Sequence, residues 1–261
     1  MCRLFFSFHT KNTDKYIPLF LQQMNSSSKN MKDGQPNDGY GFAVLRNHKW
    51  ILYKTPCIPT TVENLRGENL MDNAIFSKPY SVIFGHLRYN NPSLKIGNKI
   101  EDNHPFLFQN QVFMHNGNIQ DFRKHKTPIE SWIDPKLRKH IKGHTDSERI
   151  FFLYITILRT LSKIIKSKQV YMFEALQFMM QLFKKGDIKF EGTLVYADTE
   201  YAVIFRNGPY SLYYDNITDT ANFLVTRKNV TPIANNQMIP KNAAILINLK
   251  TKKKALYYLQ L

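Results

Sequence analysis

The chain of 261 residues is 43% hydrophobic and 21% charged, ordinary proportions for a globular protein that needs no disulfide or metal framework to fold. Aromatics at 13% exclude disorder throughout, and two cysteines exclude a disulfide-rich secreted scaffold and a four-cysteine zinc site. Lysine and arginine outnumber aspartate and glutamate 36 to 20, a net charge of +16 that raises nucleic acid and anionic membrane as partners.

In chain order, Cys2–Phe8 is short, aromatic and apolar, which predicts a buried strand and is too brief for a signal-peptide core. The polar stretch from Asn25 to Gly39 has turn chemistry and predicts a mobile loop. Tyr40–Arg46 and Lys49–Lys54 alternate around Asn47-His48, a hairpin pattern. Thr61–Asn73 reads as a short helix, and Tyr80–Tyr89 and Gln111–Met114 as strands ending in polar and glycine residues. Thr145-Asp146-Ser147-Glu148 is a capping-box pattern opening a helix through Ile165, with Thr145 as N-cap and Asp146 left available for another task. A second amphipathic helix runs from about Tyr171 to Lys185 and stops at Gly186. Strand patterns follow at Thr193–Ala197, Ala202–Phe205, Ser211–Tyr214, Phe223–Thr226 and Ala244–Leu249. Strands, two adjacent helices, then strands is an α+β order, and no linker or repeat divides it, so one domain over 1–261 is expected. The most apolar stretch, Ile150–Leu158, is interrupted by Arg159 and Lys163 and falls short of the ~20 residues of a membrane span. A soluble, cytoplasmic protein with no membrane partner is the expectation.

The residue with the most chemical content is Cys2. Methionine is usually trimmed before a small residue, which would leave Cys2 at the mature N-terminus with a free α-amine. That amine, of ordinary pKa ~7.7–8.0, can serve as base for a thiol of ~8.5, so one residue supplies nucleophile and base. Four later segments join it: Asp38-Gly39-Tyr40-Gly41-Phe42; Gly85-His86-Leu87-Arg88-Tyr89; Asn103-His104-Pro105-Phe106 with His115-Asn116-Gly117-Asn118-Ile119; and Gly143-His144-Thr145-Asp146-Ser147-Glu148. Taken singly, each has a plain structural meaning: a tight turn, a cation at a strand end, a helix cap.

Together, in this order behind an N-terminal Cys, they resemble the class II glutamine amidotransferases of the N-terminal nucleophile hydrolase superfamily, over Cys2 to about Tyr154. The likeness is greatest to stand-alone members. The resemblance implies a four-layer αββα sandwich. It also implies hydrolysis of a γ-glutamyl amide bond, in glutamine or a γ-glutamyl peptide, through a Cys2 thioester. Asn116 and Gly117 match the oxyanion hole, Arg88 the residue that binds the substrate α-carboxylate, and Asp146 the residue that holds the α-ammonium. The sequence departs from synthase-linked members at Tyr89-Asn90-Asn91-Pro92, where those carry a Trp-Ala-Thr type of tail, so the pocket wall differs. No acceptor domain is recognisable after Tyr154, and water is the simplest acceptor. The alternatives are a glutaminase subunit supplying ammonia to a separate synthase, and a non-catalytic basic nucleic-acid-binding or scaffold protein on the same fold. The expected partner is a small-molecule γ-glutamyl substrate, and a partner peptidase or synthase subunit is compatible with the motifs.

The other candidates carry less. Cys57, between Pro56 and Ile58, reads as a small buried hydrophobe, and a disulfide to Cys2 would block the nucleophile. No HExxH pair and no phosphate-binding glycine loop is present, so neither metal nor cofactor is expected. His86, His104 and His115 read as structural hydrogen-bonders. Positive charge is densest at Arg123–Lys142 and Lys250–Lys254; 26 of the 36 basic residues are lysine, more a solvated face than an arginine-led phosphate reader. Nucleic-acid binding is therefore not the expected role. A basic face that steers anionic γ-glutamyl peptides to the site fits the enzyme reading.

Overall fold

Among the described residues of the computed structural model (3–8, 39–56, 80–88, 99–209, 212–215, 222–225 and 236–261), the chain alternates blocks of strands and helices. The strands are β1 (Arg3–Phe8), β2 (Tyr40–Arg46), β3 (Lys49–Thr55), β4 (Val82–Leu87), β5 (Phe106–Phe108), β6 (Gln111–Ile119), β7 (Phe190–Ala197), β8 (Tyr201–Asn207), β9 (Leu212–Asp215), β10 (Asn222–Val225), β11 (Asn236–Met238), β12 (Ala243–Asn248) and β13 (Lys254–Tyr258). The helices are α1 (Phe122–Trp132), α2 (Pro135–Arg138), α3 (Asp146–Leu161) and α4 (Lys168–Lys185). This is the α+β order expected from the sequence. Two units divide it: Met1–Met114 with Ser211–Met238, and His115–Tyr210 with Ile239–Leu261.

The first unit is organised by a seven-stranded sheet in the order β11-β9-β10-β1-β4-β2-β3. β1 lies inside it, antiparallel to both β10 and β4, which is why Leu4, Phe5, Phe6 and Phe8 are all buried rather than alternating in and out. Phe6 meets Phe84 edge-on at 5.1 Å, and Trp50 meets the same ring at 5.3 Å, arrangements that favour aromatic pairs beyond simple burial. The hairpin forms as expected: Asn47 and His48 both take positive φ, +48° and +60°, the geometry that matches strand twist in a two-residue turn. The register then sets the working end of the sheet. Arg3 of β1 and Tyr40 of β2 both pair with Leu87, the last residue of β4.

In the second unit, α3 packs on α4 and α1, and α4 lies against β8 and β12. The buried stripe of α3 and residues Met172, Leu176, Met179 and Phe183 of α4 make this core. It continues into Phe183, tilted against Phe190 at 6.0 Å, and Phe190 stacked on Phe205 at 6.3 Å. α4 ends at Gly186, as the sequence predicts. Its start is tied to the β7–β8 turn, where Lys168 reaches Asp198 at 2.7 Å and Glu200 at 2.8 Å.

Three differences from the sequence expectation stand out. Arg123–Lys142 contains α1 and α2, whose apolar positions Ile129 and Leu137 are buried beneath a charged exterior. β5 and β13 are short additions at the two edges of the sheet ordered β13-β12-β8-β7-β6-β5. β6 does not stop at Met114 but runs through the His-Asn-Gly-Asn segment to Ile119, because β7 continues beside it. The loop expected before Gly39 and the helix expected at Thr61–Asn73 lie outside the described residues. No described helix is long and apolar enough to cross a membrane.

Candidate active site

The candidate residues fall into two groups, one in each unit. Arg88 stands directly after β4, at the end where β1 and β2 begin. Its backbone N–H donates to the Gly39 carbonyl at 3.0 Å, which joins the Asp-Gly segment to the Arg segment. The side chain is only 6% exposed and donates from Nη1 to Oδ1 of Asn103 at 3.2 Å. Asn103 is fully buried, its own Nδ2 donating to the Thr55 carbonyl at 2.8 Å. Lys54, beside Thr55 on β3, donates to the Asn103 carbonyl at 2.7 Å and lies 5.2 Å from the Phe106 ring centroid. Next to this cluster the buried rings of His86 and His104 meet at a tilt, centroids 4.2 Å apart, with Phe106 edge-on to His104. Cys2 immediately precedes β1 in the chain and lies outside the described residues.

The second group brings Asn116, Gly117 and Asp146 into one neighbourhood. Asn116 is buried, and its backbone carbonyl accepts from Thr193 Oγ1 of β7 at 3.5 Å. Gly117 is glycine for lack of space: a Cβ there would run into the Glu191 carbonyl and, at 2.5 Å, the Gly192 Cα. Gly192 is the reciprocal case, since its Cβ would lie 2.7 Å from the Asn116 carbonyl and from His115 Nε2. Two glycines thus let β6 and β7 approach backbone to backbone where the oxyanion donors are expected. Gly192 belongs to none of the motifs; the strand expected at Thr193–Ala197 in fact begins at Phe190 and takes Gly192 into its interior.

Asp146 sits in the first turn of α3, with Thr145 as N-cap accepting from the Glu148 N–H at 3.4 Å. The cap is where the sequence puts it, but Asp146 is not left idle. Its Oδ2 accepts from the Ile119 N–H at 2.7 Å, and its Oδ1 from the Ser147 N–H at 2.7 Å. It therefore ties the end of β6 to the start of α3; Oδ1 also accepts from the Ser147 hydroxyl at 3.3 Å, while Oδ2 keeps a lone pair for a further donor. His115 hydrogen-bonds through Nδ1 with Ser147 Oγ at 3.0 Å and stacks on Phe190. Burial lowers its pKa below the ordinary 6.5, against the opposing pull of the Asp146 charge.

The loop before α3 is held from both sides. Glu148 accepts from the N–H groups of Lys142 and Gly143 at 3.0 and 2.7 Å. Arg149 donates to the Gly143 and Thr145 carbonyls at 2.6 and 3.1 Å, and its Nε pairs with Glu130 of α1 at 3.0 Å. Among the described residues no group of three or more His, Cys, Asp or Glu has metal-holding geometry.

No protein-family model matches the chain. Over 122 residues it is 27% identical to the probable glutamine amidotransferase DUG3 of Saccharomyces cerevisiae, a match covering 46% of this chain and 33% of that protein. The chain thus spans about a third of the length of that curated relative. Among solved structures, a glutamine aminotransferase class-II domain protein from Silicibacter pomeroyi superposes with a TM-score of 0.61 at 16% identity, covering 99% of this chain and 100% of that one. The glutamine phosphoribosylpyrophosphate amidotransferase of B. subtilis superposes with a TM-score of 0.63 at 13% identity, covering all of this chain and 50% of that one. The fold is therefore that of the class II glutamine amidotransferases, and so of the N-terminal nucleophile hydrolases.

Proposed function

We propose that the protein, as a single amidotransferase-type domain over 1–261, hydrolyses a γ-glutamyl amide bond in glutamine or a γ-glutamyl peptide. The observation that carries this reading is Arg88. A guanidinium buried to this degree is costly unless an anion meets it. Among the described residues, however, its side chain is hydrogen-bonded only to a neutral amide. An α-carboxylate from the substrate supplies the missing charge, and the planar fork suits bidentate contact. Arg88 lies at the sheet end where the strand that follows Cys2 begins.

In the proposed reaction the α-amine of Cys2 takes the thiol proton, and the thiolate attacks the side-chain carbonyl carbon to form a C–S bond. Asn116, through its side-chain amide, and the Gly117 N–H stabilise the oxyanion. The C–N bond breaks as the α-ammonium returns its proton to the leaving amine. Water then cleaves the thioester, releasing glutamate and restoring the thiol. Asp146 holds the substrate α-ammonium through Oδ2, whose single contact among the described residues leaves a lone pair.

The test is glutamate release from glutamine and from γ-glutamyl peptides, with and without amine acceptors, by protein whose intact mass shows Met1 removed. Cys2→Ala should be inert. Absence of glutamate release from every such substrate, or full activity with Met1 retained, overturns the mechanism.

A further inference from the structure

We infer that Asn103 is a positioning residue that orients the Arg88 guanidinium for the substrate α-carboxylate without neutralising it; the inference rests on the proposed role of Arg88. Asn103 is gripped on all sides within its own unit. Its Nδ2 donates to the Thr55 carbonyl at 2.8 Å, its N–H donates to the Ile100 carbonyl at 3.2 Å, and its carbonyl accepts from Lys54 Nζ at 2.7 Å. Only the side-chain oxygen is turned to Arg88, at 3.2 Å from Nη1. Gly39 makes room for this arrangement. It holds a φ of +85°, and a Cβ there would strike the Asn103 amide and the Thr55 carbonyl. The ends of β2, β3 and β4 are therefore fitted around one buried amide, and that amide meets one edge of the guanidinium.

The chemistry of the amide is what suits it to the task. A guanidinium has five N–H donors in a fixed plane, and one bond to a neutral acceptor fixes the plane while leaving the other donors for a ligand. A carboxylate in the same place would form an internal ion pair and compete with the substrate. An aliphatic side chain would leave the long arginine free to choose among rotamers. A neutral, rigidly held acceptor gives orientation and keeps the positive charge available.

The experiment is a mutant cycle read in steady-state kinetics on glutamine or the best γ-glutamyl peptide, with each variant assayed below its Tm. Asn103→Ala should raise KM about tenfold with kcat changed less than about threefold, the pattern of lost substrate binding. Asn103→Asp, nearly isosteric, should be worse, about a hundredfold in kcat/KM, because its charge occupies Arg88. In an Arg88→Gln background, Asn103→Ala should add almost nothing. A crystal structure of Asn103→Ala should show the Arg88 side chain displaced. An Asn103 that matters only for folding predicts otherwise: Asp nearer to wild type than Ala, losses that add to those of Arg88→Gln, and an unmoved guanidinium. Any of these overturns the inference while leaving Arg88 in place. If Arg88→Gln alone leaves kcat/KM unchanged, the substrate role of Arg88 falls and takes the inference with it.

Discussion

His115 is a buried base whose neutral form the fold prefers, because burial penalises the imidazolium more than Asp146 rewards it. Its folded pKa lies below the unfolded one, so its stabilising contribution is complete above pH 6.5. That contribution is lost as the pH falls from there through the folded value. Over that interval, wild type should lose stability faster than His115→Gln, by up to about 1.4 kcal/mol per pH unit. Equal slopes in urea unfolding at pH 6.5 and 5.5 would remove His115 from the acid response. Beside it, Asn116→Ala tests the oxyanion assignment. Loss of one preorganised donor should lower kcat by ~10²–10³ with KM little changed. A mutant with normal kcat and raised KM would move Asn116 to the substrate head.

At the scale of elements, one carboxylate at the start of α3 ties two elements together and is also the proposed substrate ligand. The sequence predicts Thr145 as cap, and the family resemblance implies Asp146 as a substrate ligand. Neither gives a sign that Asp146 also holds the Ile119 N–H, because that contact depends on β6 continuing five residues beyond Met114. Strand length past a glycine is set by the partner strand, and the partner is more than seventy residues away. Asp146→Asn therefore has two effects. It should cost ~1–3 kcal/mol by leaving one backbone N–H facing an amide N–H, and it should lower kcat/KM by about ten- to a hundredfold. A variant that loses stability but keeps full kcat/KM would show the carboxylate to be a tie alone. Arg149, by contrast, has a purely structural place beneath this turn. Arg149→Met leaves the Gly143 and Thr145 carbonyls without their buried donor and Glu130 without its cation. A loss of about 2–4 kcal/mol in chemical denaturation is expected, and a change under 1 kcal/mol would mean that water replaces it.

For the whole molecule, the +16 charge acts over distance rather than in any one contact. A positive field raises encounter with anionic substrates and is screened within ~10 Å at 0.1 M salt. If the basic surface steers substrate, kcat/KM for an anionic γ-glutamyl peptide should fall several-fold between about 20 and 300 mM salt. For zwitterionic glutamine it should fall much less, and equal responses would separate the charge from catalysis. At this scale the sequence was most legible where local pattern and burial agree. β1, the β2–β3 hairpin, α3 and α4 all have apolar residues at the period their burial demands. It was least legible over Arg123–Lys142, where single apolar residues such as Ile129 and Leu137 anchor helices inside a run of charge. Of the site, the order of motifs indicated Arg88, Asn116, Gly117 and Asp146. The buried neutral partner of Arg88 depends on tertiary proximity, which no spacing encodes.

The facing glycines of β6 and β7 have a consequence for how this protein tolerates mutation. A methyl group on either would meet the backbone of the other strand, which cannot rotate aside, and the ring of buried His115 as well. Gly192 should therefore be as intolerant of substitution as Gly117, although it is remote along the chain from every recognisable motif and has no side chain to contribute to the reaction. Gly192→Ala should push the strands apart at Asn116, lowering stability by about 1–3 kcal/mol and turnover with it. In a saturation scan read by activity, position 192 should stand with 116 and 117 rather than with its neighbours. Permissiveness at Gly192 would show that the two strands can part without disturbing the oxyanion donors.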